Sequence, residues 1–146
     1  MQHSDLAAFL DSWTEDPNDI KPVFTRMYDY LSACEGVSLE YKGRPGVSHS
    51  LRARHAAQNK QEPFVLVDII DDDPNARWLS LCFYADLVTD PEERGDIVPG
   101  GLMGKDACCF NLEALDDVAT RYMLQRLREA TTAAGRQPRE NRSNHA

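Results

Sequence analysis

The stretch FVLVDII-DDDPNAR-WLSLCFY, residues 64–84, decides the fold of this chain. Its first and last seven residues are rich in β-branched and aromatic side chains, which favour strands, and both runs are apolar on both faces. The middle segment combines aspartates with Pro74 and Asn75, which favour a turn because Asp and Asn side chains bond their own backbone. We therefore expect two antiparallel strands at the centre of a sheet.

Hydrophobic periodicity extends this sheet in both directions along the chain. Alternation with a period of two predicts further strands over 37–42, 47–54 and 107–112. Apolar positions at three- and four-residue steps predict helices over 4–10, 20–34 and 115–134. Short connections between strands favour antiparallel neighbours, because a parallel crossover needs about a dozen residues or more. The pattern predicts an α+β fold, in which an antiparallel meander of four or five strands is packed by an N-terminal and a C-terminal helix.

The chain of 146 residues fits a single domain, which we expect to span 1–135 and to precede a disordered basic tail over 136–146. No apolar run approaches the roughly 20 residues that span a bilayer. The N-terminus lacks the basic region and the long apolar stretch of a secretion signal. These features predict a cytoplasmic protein without membrane contact.

Charge is distributed unevenly within a formal net charge of −8. Residues 1–120 carry 10 Lys and Arg against 22 Asp and Glu, whereas residues 121–146 carry 6 Arg against 2 Glu. An acidic body repels phosphate, so nucleic acid is an unlikely partner for the folded part. The basic tail is typical of a solvated chain end, and the alternative is that it contacts an acidic partner.

The cysteines Cys34, Cys82, Cys108 and Cys109 form no Cys-x-x-Cys pair and no Cys/His cluster with zinc spacing. The sequence therefore predicts no metal site and no cofactor. Cys108 and Cys109 are neighbours, so on a strand their side chains point to opposite faces. We expect free, partly buried thiols in a reducing compartment.

A long loop over 86–106 is the one connection large enough to shape a pocket. It contains four glycines between residues 95 and 104, followed by Lys105, which invites comparison with a phosphate-binding loop. The sequence does not match the phosphate-loop motif, because Asp106 follows Lys105 where the motif requires Ser or Thr. A strand is predicted to follow, whereas the motif requires a helix. The acidic residues at 71–73 lack the EF-hand pattern and are typical of a turn.

The better candidate site lies on the strand faces. Alternate residues of 48–54 share one face of a strand, and alternate residues of 78–84 share one face of another. If the two faces coincide, they offer aromatic walls and a guanidinium that suit a small anionic ligand. The same face could instead be a homodimer interface or ordinary core beneath the loop. The predicted ligand-binding residues are Arg52, Trp78, Tyr84 and His49.

His49 is the histidine that falls inside a predicted strand, whereas His55 is expected to be exposed. A strand histidine is typical of a hydrogen-bonded side chain at the core margin, but His49 could also draw the thiol proton from Cys82 or Cys108. The predicted function is a binding or interaction domain, self-associating or holding a small anionic ligand at the uncovered sheet face. The alternative is a small enzyme with a His/Cys site near the loop 86–106, and no catalytic residue is assigned.

The strings YKGRPGVS (41–48) and WLSLCFYAD (78–86), with DPE at 90–92 and PGGL at 99–102, resemble small bacterial proteins of unknown function. The resemblance covers roughly residues 23–134. It implies a bacterial source, and it implies no activity and no site residues.

Overall fold

The computed structural model describes residues 2–58 and 62–145, and the side chains of 4–58 and 62–136. In chain order the elements are α1 Gln2–Ser12, α2 Lys21–Ala33, β1 Val37–Arg44, β2 Ser48–His55, β3 Val65–Ile70, β4 Trp78–Tyr84, a 3-10 turn Ala85–Leu87, β5 Asp96–Leu102, β6 Lys105–Leu112 and α3 Asp117–His145. The predicted α+β class is confirmed, with a sheet of six strands where four or five were expected.

The strands lie in the order β1-β2-β3-β4-β6-β5, and every neighbouring pair is antiparallel. Strands β3 and β4 are central, as the sequence predicted. Strand β5 was missed, because DIVPGGL contains Pro99 and two glycines, which disfavour strands. It forms at the sheet edge, where proline is tolerated, and its register shifts between Val98 and Leu102. The second half of the predicted loop 86–106 is therefore a β-hairpin.

All three helices pack on the same face of the sheet. In β3 and in β4 as far as Phe83, residues alternate between buried and half-buried, so one face belongs to the core and the other does not. The buried strand residues share one hydrophobic core with side chains from each helix, among them Phe9 of α1, Phe24 of α2 and Leu127 of α3. We call the opposite side the open face. Within the described ranges, no helix has the length and apolar character that crossing a membrane requires.

The connection between β4 and β5 is held against α3. The Tyr122 hydroxyl donates a hydrogen bond to Asp90 at 2.5 Å. The same carboxylate accepts the backbone N–H groups of Arg94, at 3.0 Å, and Gly95, at 2.9 Å. Because one aspartate closes its own turn and binds the helix, the first half of the predicted loop is anchored.

Two of the four thiols that we expected to be free are bonded to each other. Cys82 of β4 and Cys109 of β6 are directly opposite in the strand register, and they form a disulfide on the open face. The sequence analysis compared Cys109 only with its chain neighbour Cys108. It therefore missed a pairing that depends on which strands are adjacent. Cys34 and Cys108 are free.

Helix α3 continues past Gly135, where the sequence predicted its end. Gly135 instead allows a close approach, because a Cβ at this position would lie 3.0 Å from Nε2 of His55. His55 is accordingly half-buried, in contrast to its expected exposure. The side chains from residue 137 onward lie outside the described residues, and the disordered tail over 136–146 stays a prediction.

Candidate functional site

The strand register places the two polar strand faces on the same side of the sheet. Arg52 of β2 is opposite Leu66 of β3, Leu66 is opposite Cys82 of β4, and Cys82 is opposite Cys109 of β6. Since directly opposed residues point to the same side of a sheet, these side chains form one row across the open face. The alternate residues of 48–54 and of 78–84 therefore lie on one surface.

Basic side chains are concentrated on the β1–β2 half of this open face. The register places Lys42 opposite Ser50, and the open-face residues of the two strands include four of the ten Lys and Arg residues found in 1–120. These four are Lys42, Arg44, Arg52 and Arg54. One carboxylate lies among them, since Glu40 binds Arg54 at 2.9 Å. The β1–β2 half is thus a basic patch on an acidic body.

The open face carries three large apolar side chains beside a polar row. Leu66 and Ile70 of β3 and Trp78 of β4 are half-buried. The register places a polar row between Leu66 and the other two, formed by Ser50, Asp68, Ser80 and Asn111. Asp68 is also half-buried, and its Oδ1 atom is inaccessible and has no hydrogen-bond partner. Burial raises the pKa of Asp68, although Ser50 and Arg52 oppose the shift, so this part of the open face disfavours a charged carboxylate.

The predicted ligand-binding residues do not converge on one pocket. Trp78 and Tyr84 are at opposite ends of β4, six residues or about 20 Å apart. Tyr84 is only 6% exposed, because its hydroxyl binds Glu62 and the ammonium of Lys105 lies 5.5 Å from its ring centre. Burial, followed by the contact with Glu62, raises the pKa of Tyr84, which keeps the phenol protonated. Of the open-face residues that we predicted, Arg52 and Trp78 remain accessible to a partner.

The fourth predicted residue, His49, lies on the helix-covered face. The ring of Phe9 in α1 stacks on its imidazole at a centroid distance of 3.7 Å. Its Nδ1 atom is 2.7 Å from the Tyr41 hydroxyl, and its Nε2 atom is 2.9 Å from Oδ2 of Asp71. Both ring nitrogens are therefore bound, and the predicted alternative that pairs His49 with a cysteine is not formed.

Asp71 is the acceptor at the inner end of this network. It is 4% exposed and directly follows β3, where its Oδ1 accepts Nε–H of Arg77 at 2.7 Å. Its Oδ2 accepts the backbone N–H of Gly46 at 3.1 Å and the imidazole of His49. Burial alone would raise the pKa of Asp71, but the hydrogen bonds from Arg77 and His49 lower it. The carboxylate is therefore ionised, and it holds a proton on Nε2 of His49.

Sequence reasoning missed Tyr41, Asp71 and Arg77 as partners of His49. Asp71 was interpreted as a turn residue of 71–75, and Tyr41 as an ordinary strand residue. Their contacts cross 22 and 8 positions of the chain, and they arise only once β1, β2 and β3 pair in register. The one available signal was the helix-facing position of His49 beside Leu51, since a buried histidine requires partners.

The free cysteine Cys108 lies where its thiolate form is disfavoured. Cys108 is buried, and burial, followed by the charges of Asp90 and Asp96, raises the pKa of its thiol. A nucleophilic cysteine requires the opposite shift, because the thiolate is the reactive form. In the described ranges, no three His, Cys, Asp or Glu side chains come together in a way that could hold a metal ion.

No protein-family model, curated protein or solved structure matches this chain.

Proposed function

We propose that this chain is an interaction domain that self-associates through its open face. The observation that carries the proposal is a set of three half-buried apolar side chains, Leu66, Ile70 and Trp78, on the side of the sheet opposite the helices. Exposed apolar patches bounded by polar side chains are typical of protein interfaces. A sheet face without a convergent pocket suits a second protein surface better than it suits a small molecule.

The open face is large enough for a specific dimer. Six strands about 4.8 Å apart, with about seven residues at 3.3 Å each, give a footprint of about 650 Å². Standard interfaces bury about 800 Å² per partner. The face therefore approaches the size of a stable contact, and Trp78 would be its aromatic anchor.

The distribution of charge selects one arrangement of two copies. A two-fold axis parallel to the strands sets the basic β1–β2 half of one copy over the β6–β5 half of the other, which carries one carboxylate, Asp96, and one ammonium, Lys105. An axis perpendicular to the strands would instead set the basic β1–β2 half of each copy over the same half of its partner. Since like charges repel across an interface, the first arrangement is favoured.

Sedimentation velocity from about 1 to about 500 µM tests the proposal, because this range spans the affinity of a modest interface. We expect a monomer–dimer equilibrium that Trp78→Glu shifts to monomer. Val118→Glu serves as the matched control, since Val118 is 52% exposed on α3 and should leave the dimer unchanged. A strict monomer at the highest concentration would overturn the proposal. A dimer that survives Trp78→Glu but is lost in Ile97→Glu would also overturn it, since the contact would then run along the edge strand β5.

A small anion is the second candidate occupant, and the basic patch on β1–β2 favours it. Inorganic phosphate added to the same samples separates the two functions. If the protein stays monomeric and binds phosphate through Arg52, with loss of binding in Arg52→Gln, the open face is a ligand site. The cytoplasmic location expected from the sequence stays a prediction, and the Cys82–Cys109 disulfide favours an oxidising compartment instead.

A further inference from the structure

A second concave surface lies on the other side of the sheet, between α1 and the β1–β2 hairpin. It is a cleft of about 490 Å³, a size typical of small-molecule sites. The helix contributes Asp5, Phe9 and Ser12, and the hairpin contributes Tyr41, Gly43 and His49. The cleft therefore opens directly onto the outer end of the Tyr41–His49–Asp71 network.

Gly43 makes this arrangement possible. A Cβ at position 43 would lie 2.5 Å from the hydroxyl oxygen of Tyr41, so any other residue would displace the phenol. Gly43 is directly opposite His49 in the register, and the space above it lets Tyr41 reach the imidazole. The phenol is thereby fixed in a single position at the floor of the cleft.

The network also fixes the direction of the hydrogen bonds. Ionised Asp71 accepts the Nε2–H of His49, and in this tautomer Nδ1 is an acceptor. The Tyr41 hydroxyl therefore donates its one proton inward to Nδ1. What the phenol offers to the cleft is an oxygen lone pair, and Tyr41 acts there only as an acceptor.

The second polar group of the cleft is also an acceptor. Asp5 is exposed on α1 and presents a carboxylate near the phenol. Burial raises the pKa of Tyr41, the charges of Asp5 and Asp71 raise it further, and the charge of Arg77 opposes the shift. Lys42 borders the cleft, but strand alternation directs its side chain to the open face. The Ser12 hydroxyl donates to the backbone oxygen of Phe9 at 2.7 Å, so the cleft offers two acceptors, Asp5 and Tyr41.

We propose that the cleft binds a small molecule carrying a primary ammonium group, with the ammonium donating to the Asp5 carboxylate and the Tyr41 oxygen. An ammonium brings three donors and a positive charge, which the two acceptors and the carboxylate charge of Asp5 complement. This site lies on the opposite side of the sheet from the open face, so it is independent of self-association.

Titration of the ¹⁵N-labelled protein tests the proposal with three probes of equal chain length: n-butylammonium, 1-butanol and butyrate. We expect n-butylammonium alone to shift the backbone amides of residues 5–12 and 41–44. Butanol lacks the charge, and butyrate carries the wrong one. Equal shifts from butanol, or shifts with butyrate alone, would overturn the proposal.

Substitutions on α1 assign the effect to the proposed contacts. Asp5→Asn should weaken n-butylammonium binding about tenfold, since it removes a charge-assisted hydrogen bond. Asp11→Asn is the matched control, because Asp11 is an exposed aspartate of the same helix outside the cleft. Lys42→Met should bind equally well or more tightly. Unchanged affinity in Asp5→Asn, or equal losses in both aspartate variants, would show that the binding is not specific to the cleft and would overturn the assignment.

Discussion

Asp71 joins three segments that are distant in the chain. Its carboxylate accepts from the Gly46 turn, from His49 on β2 and from Arg77 before β4. Arg77 in turn lies over the rings of Phe9, at 5.3 Å, and Trp13, at 5.6 Å, and so connects the carboxylate to α1. A buried ion pair contributes little compared with an apolar pair, but removing one partner is costly because the other charge stays buried.

We therefore expect Asp71→Asn to lower the free energy of unfolding by about 3 kcal/mol at neutral pH. The folded-state pKa of Asp71 is depressed, so its contribution is complete above the unfolded pKa of about 3.9 and is lost as pH falls through the folded pKa. Urea denaturation at neutral pH and near pH 3 measures both effects. The gap between wild type and variant should shrink in acid. Asp72→Asn, an exposed neighbour, is the control, and a gap that is constant with pH would contradict the assignment.

Among the secondary-structure elements, those with one-sided burial were predictable from the sequence. Strand β3 and most of β4 alternate in burial because a single face enters the core, and the one-sided burial was predictable from the sequence. Strand β5 has no such signal, since all but its last residue, Leu102, are exposed and its position depends on pairing with β6. The residues of the candidate site also divide into those that the sequence predicts and those that depend on strand pairing. Arg52 and Trp78 were identified from alternation, whereas the partners of His49 depend on which strands are adjacent.

The packing of α3 on β2 gives a prediction at the level of elements. Gly135 lies inside α3, where alanine would normally be favoured by about 1 kcal/mol. We expect Gly135→Ala to destabilise instead, because its Cβ would lie 3.0 Å from Nε2 of His55. In a His55→Ala variant the imidazole is absent, so Gly135→Ala should leave the free energy of unfolding unchanged or raise it. Thermal denaturation of the four proteins measures the coupling, and additive effects would contradict the close approach.

At the scale of the whole molecule, the fold separates two surfaces on opposite sides of one sheet. The helix side carries the core and the cleft beside α1, and the open face carries the basic patch and the half-buried side chains of Leu66, Ile70 and Trp78. The Cys82–Cys109 disulfide crosses the open face, and its cysteines are 27 residues apart, so it closes a loop that contains the 3-10 turn, the anchored connection and β5. Its state therefore affects the stability of the entire chain as well as the chemistry of the open face.

A disulfide that closes a loop of this length raises the free energy of the unfolded chain by about 3.5 kcal/mol in the chain-entropy description. We expect the Cys82→Ser/Cys109→Ser variant to lose about 3 kcal/mol of unfolding free energy. Dithiothreitol should bring the wild type to the same level and leave the double variant unchanged. The Cys34→Ser variant is the control. Because Cys34 is free, this variant should lose as much unfolding free energy on reduction as the wild type does.

If dithiothreitol leaves the unfolding free energy of the wild type and of the Cys34→Ser variant unchanged, the disulfide does not constrain the unfolded chain. If the expected loss is found, the protein reaches its full stability only where thiols are oxidised. Sedimentation of the reduced protein then completes the argument. Since both sulfurs lie in the row of Arg52 and Leu66, a dimer that uses the open face should change its affinity on reduction, whereas a dimer at the edge strand should not.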